Sequence, residues 1–254
     1  MSSQLACMLS EGRSLRRRAL TNQEANLFAG HVGAALAIGR AVRRINVGLF
    51  IFAALLLDVA LWIFVLLGWE SATIPADFAA THQAEFVFPY SHGLLAGIAW
   101  SGFAGAAVIL VSPPLKKRRL RCAGFVGAAV FSHWLLDALV HVPELPLAGA
   151  ESTKVGFGLW QDMPVALTLE ATIVVLGLWL FVPGATLSRT RKLGLIALCV
   201  LILGFTVAGM TVAPPPPSVA AMAGSALATI IVVCAIAFWL GNGPDEKRTG
   251  SDFP

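Results

Sequence analysis

Histidine, aspartate and histidine recur every four residues in Ser132-His133-Trp134-Leu135-Leu136-Asp137-Ala138-Leu139-Val140-His141, inside a run otherwise apolar enough to lie in a membrane. On an α-helix a step of four residues drifts by only about 40°, so the three side chains share one face. Neutral imidazole and carboxylate ligate zinc, manganese or iron, and a catalytic ion needs few protein ligands plus an open position for water. His31, Asp58 and His92 have the same chemistry, which makes six candidate metal ligands: His31, Asp58, His92, His133, Asp137 and His141. A divalent metal, zinc foremost, would acidify a water molecule at such a centre. Glu170 is the candidate catalytic base, with Asp162 a second carboxylate in reach, and Glu144 can cap the end of the helix.

The elements that must position these groups read as membrane helices. The 254 residues are 57% hydrophobic and 13% charged, and the mean hydropathy of +0.78 lies outside the soluble range. Apolar runs of about the 20 residues a bilayer requires fall at Asn46–Trp69, Ser91–Ser112, Cys122–His141, Met163–Val182, Leu193–Val212 and Val219–Leu240. The fold expected is an all-α polytopic bundle of six transmembrane helices plus a short N-terminal helix, Leu27–Gly39, too short to span alone. A polar extension (1–26) precedes a membrane helical domain (27–241), and a tail (242–254) follows. An arginine-rich start before a short apolar core also fits a cleaved signal peptide. His31 inside that core and Arg40, Arg43 and Arg44 directly after it favour a retained helix.

Alternate threading of six helices puts all but Lys154 of the 18 basic residues on one side, the cytoplasmic side by the positive-inside rule. The chain is therefore expected to cross a bacterial inner membrane several times, with its C-terminus cytoplasmic. The net charge of +4 faces anionic lipid, and nucleic acid is not needed to explain it. The candidate ligands fall in the outer half. Cys7, Cys122, Cys199 and Cys234 are dispersed, which indicates neither a disulfide framework nor a thiolate metal site.

Depth brings the ligands together. His133 stands as far beyond Arg121 as Asp58 stands beyond Asn46, roughly 18 Å at about 1.5 Å per residue. If Leu27–Arg44 forms a hairpin with the first span, His31 reaches the same level. A re-entrant or surface-lying helix is the alternative path.

The blocks Phe28-Ala29-Gly30-His31, Leu57-Asp58, Phe88-Pro89-Tyr90-Ser91-His92, Ser132-His133-Trp134-Leu135-Leu136-Asp137 and His141-Val142-Pro143-Glu144-Leu145-Pro146 resemble, in order and spacing, the bacterial membrane-bound metal-dependent hydrolases that include the LexA-binding inner-membrane type. The resemblance covers about residues 28–170. It implies a His/Asp metal site and hydrolase activity, distantly similar to zinc-dependent phospholipase C. Members carry a Pro-Asp-x-Asp run where this chain has Leu57-Asp58-Val59-Ala60, and they tend to start near the His31 block. The expected activity is hydrolysis of an ester or phosphoester of a lipid or envelope precursor, with membrane lipid as surroundings and a lipid-like molecule as substrate. A permease or ion-coupled carrier using buried His and Asp, and a noncatalytic membrane subunit, are the other readings the residues allow.

Overall fold

A computed structural model describes residues 28–43, 45–82, 84–111 and 116–242, so the expected extension and nearly all of the expected tail lie outside the described residues. Nine α-helices are described: α1 (Phe28–Gly39), α2 (Val47–Ala54), α3 (Leu56–Leu67), α4 (Phe78–Thr81), α5 (Leu94–Val111), α6 (Lys116–Val140), α7 (Met163–Phe181), α8 (Arg189–Thr211) and α9 (Val219–Gly241). α5 to α9 are each long and apolar enough to cross a membrane. Helices dominate because a spanning chain must satisfy its backbone internally. Asn46, Asp162, Ser188 and Ser218 cap α2, α7, α8 and α9 by accepting main-chain N–H bonds. Gly68, at a φ of 73°, ends α3 in the left-handed conformation.

One difference from the sequence reading matters for the site. The run Asn46–Trp69 is one span in sequence, but α2 and α3 meet at Leu55 with a bend of 48°. No proline or glycine lies between Phe50 and Leu67 to cause it. Instead, the ring of His133 enters from α6 and takes the Ala54 carbonyl at 2.6 Å, which is a side-chain insertion into the helical ladder. The structure also decides between the two paths open to α1. This short helix does not lie on a surface; it is enclosed, packing chiefly on α7 and also on α2, α6 and α8. Ala29, Val32, Ala35 and Leu36 are fully buried. Its approach to α7 is set by glycines: a Cβ on Gly33 would stand 2.6 Å from the Ile173 carbonyl oxygen, and one on Gly177 would overlap the Gly33 carbonyl.

The connections after α3 and after α6 form two small hairpins. β1 (Ser71–Thr73) pairs with β2 (Glu85–Val87), and β3 (Leu145–Pro146) with β4 (Lys154–Val155), both antiparallel. They seat Phe88, Leu145 and Trp160 against the core. The opposite surfaces of α5, α7, α8 and α9 present large apolar side chains, Leu110, Trp179 and Leu201 among them, as a lipid-facing belt does. Cys122, Cys199 and Cys234 are free thiols.

Candidate metal centre

All seven candidate site residues are at least 97% buried, and five of them, His31, Asp58, His92, His133 and Asp137, come together where α1, α3, α6 and the turn before α5 meet. An ionisable group at this depth needs a partner, and hydrogen bonding decides which atoms remain free.

His133 is the clearest case. Its Nδ1–H donates to the Ala54 carbonyl, which can only accept, so in the neutral imidazole Nε2 carries the lone pair. His92 is fixed by a longer chain. Glu70 Oε1 accepts the N–H groups of Tyr90 and Ser91 at 2.7 and 2.9 Å, and Glu70 Oε2 accepts the Ser91 hydroxyl proton at 2.7 Å. The Ser91 oxygen is then left to accept from His92 Nδ1–H at 2.8 Å. His92 Nε2 therefore also carries a lone pair. The two Nε2 atoms face each other at 3.1 Å.

The carboxylates converge on the same point. Asp137 Oδ2 lies 3.2 Å from His133 Nε2 and 3.4 Å from His92 Nε2, and Asp58 Oδ1 lies 3.7 Å from both. With both imidazoles neutral these are four electron-pair donors facing one another. Donors held about 2.1 Å from a tetrahedral ion lie about 3–4 Å apart, the spacing seen here. A proton could relieve one of these contacts; a divalent cation could be held by His92, His133 and Asp137 together, with Asp58 beside them. The donor set thus fits a metal, and the Ala54 and Ser91–Glu70 partners have the orienting role that outer partners play for ligating histidines.

His31 stacks on His133, ring centroids 3.7 Å apart and nearly parallel, and its Nε2 lies 3.2 Å from Asp137 Oδ1. It aims the Asp137 carboxylate so that Oδ2 faces the other imidazoles. His31 Nδ1 and Asp137 Oδ2 are buried without hydrogen-bond partners. The donor atoms fall into two overlapping groups, His31–Asp58–His133 and His92–His133–Asp137. Both share His133, which has one free nitrogen, so the arrangement suits one ion better than two.

His141 and Glu170 stand apart from this convergence. His141, just beyond the end of α6, packs on Trp160 at a centroid distance of 4.3 Å, and its Nδ1 pairs with Glu144. Glu144 is thus a histidine partner rather than a helix cap. Burial pushes the Glu144 carboxyl up to about 8, against the opposing pull of the Lys154 ammonium. Glu170 Oε2 accepts the Gly30 N–H at 2.5 Å, satisfying an otherwise orphaned donor in the first turn of α1, while Oε1 is buried without a partner. Asp162 is exposed at the N-cap of α7, away from the buried carboxylates.

Sequence reasoning missed Glu70 and the Ala54 carbonyl. The Ser91-His92 pair was the available signal for the first, since a hydroxyl beside a histidine invites an acceptor behind it. No local signal marks the second. No protein-family model, curated protein or solved structure matches this chain.

Proposed function

We propose that this multi-pass membrane protein is a metal-dependent hydrolase of the bacterial inner membrane, acting from its outward-facing half on an ester or phosphoester of a lipid or envelope precursor, with its C-terminus in the cytoplasm. The observation that carries this reading is the convergence of the His92 and His133 lone pairs with Asp137 Oδ2 and Asp58 Oδ1. Those four residues would hold the ion, and a His/Asp donor set is the chemistry zinc accepts. Bound there, a divalent ion supplies Lewis acidity toward an ester or phosphoryl oxygen and lowers the pKa of water. The protein's own residues do the rest. His31 orients Asp137, Glu70 and Ser91 orient His92, and Glu170 has an unpartnered oxygen with which to accept a proton. The enclosing helices exclude bulk water, which strengthens each of these interactions. The short motifs shared with membrane-bound metal-dependent hydrolases support the same activity.

Metal analysis of the purified full chain, paired with His133→Ala, His92→Ala and Asp137→Ala, tests the reading. The wild type should bind about one divalent ion per chain and hydrolyse phospholipid or phosphodiester reporters, and the variants should lose both. A metal-free, inactive wild type whose variants are as stable as it is would overturn the proposal. Metal translocation into liposomes without hydrolysis would identify a carrier instead.

A further inference from the structure

A cavity of about 310 Å³ opens beside the metal centre, at the lower end of the range for small-molecule sites. Its inner wall is Asp58 and Trp62 of α3 with Phe28 of α1, and its outer wall is the upper half of α8 and α9. Asp58 is therefore common to the cavity and to the ligand cluster. Above it lie Phe78, His82 and the Pro214–Pro216 connection. Among the described residues the lining contains no lysine or arginine, and it is mostly apolar. Its buried polar feature besides Asp58 is Thr206, about 95% buried with its hydroxyl unpartnered, and His82 stands at the upper end. The Thr229 hydroxyl, by contrast, is spent on its own helix, bonding Ser225 O. Met210 and Met222 add flexible apolar surface.

The cavity also reaches the lipid. Phe205 lines it yet is 61% exposed on the outside of α8, and Gly209 leaves open space where a side chain would stand. From these features we infer that the α8–α9 cavity receives an aliphatic chain of the substrate, which enters sideways from the outer leaflet and places its ester or phosphoester linkage at Asp58. This rests on the hydrolase reading and narrows it to substrates with a hydrocarbon chain. The Thr206 hydroxyl is placed to donate to an oxygen of that linkage. A peptide or a soluble polar substrate would find too few partners here.

The test uses the full chain in nanodiscs containing a phospholipid with a diazirine near the end of one acyl chain. After illumination, adducts should concentrate on 205–210 and 222–230. Gly209→Trp and Ala226→Trp, which fill the cavity without touching a ligand, should each reduce those adducts by about tenfold. Adducts on Val175 and Leu176, on the lipid-facing side of α7, should not change, and metal content should match wild type. Uniform labelling around the bundle, or labelling indifferent to both variants, would overturn the inference while leaving the metal centre intact. Chain-specific labelling in a protein that binds no metal would keep the cavity and remove the hydrolase.

Discussion

Helices α1, α3 and α6 bury four ionisable ligand candidates, His31, Asp58, His133 and Asp137, whereas α8 and α9 bury no histidine or carboxylate at all. The first group is held by directed bonds: His133 to Ala54, His31 to Asp137, Gly30 to Glu170. The second is held by small residues and aliphatic contacts, and turns Leu201, Phe205, Ile231 and Val232 outward. The difference follows from burial. A polar group at membrane depth is stable only when each of its atoms is answered, so the site-bearing helices are over-determined. Apolar helices in lipid lack that demand and can leave a gap between them. Rigidity and access are thus divided between two halves of one bundle.

The strongest way to break the comparison is Asp137→Ala. It leaves two imidazole lone pairs opposed and removes the nearest carboxylate; metal affinity should fall by more than about 100-fold, beyond what loss of an outer partner costs, as read by elemental analysis after dialysis. Next comes Glu70→Gln, which weakens the chain through Ser91 that aims His92. Chelator competition should show a loss of about 10–100-fold in metal affinity with the fold intact. Gly177→Leu attacks the α1–α7 approach: the added side chain meets the Gly33 backbone, and thermal unfolding in detergent should reveal about 1–3 kcal/mol of lost stability. Leu201→Ala, on the lipid face of α8, sharpens the contrast by its silence. Stability should stay within about 0.5 kcal/mol and metal affinity should be unchanged.

The spans were legible because a bilayer imposes a length and an apolar composition that any single sequence displays, and α5 to α9 follow the expected runs closely. Much of the site was legible too. The four-residue spacing of His133 and Asp137 survives into their contact at 3.2 Å, and depth arithmetic brought Asp58 and His31 to the same level. His141, one turn beyond Asp137 and buried directly after the last residue of α6, turns its Nδ1 to Glu144, a pairing that the four-residue spacing does not announce. The bend at Leu55 was invisible because its cause lies on another helix. The residues around it, Ala53-Ala54-Leu55-Leu56, are ordinary helix formers with no breaker among them.

That bend has a consequence for assembly. A helix whose kink depends on a ring from a later helix has no reason of its own to bend, so α2 and α3 are expected to enter the bilayer as one straight rod. α1 is too short to cross alone and must wait for α7 to receive its glycine face. Until α6 and α7 are synthesised and docked, Asp58 and His31 have no permanent partners. The ligand cluster is therefore a product of helix docking, with no single helix able to form it in advance.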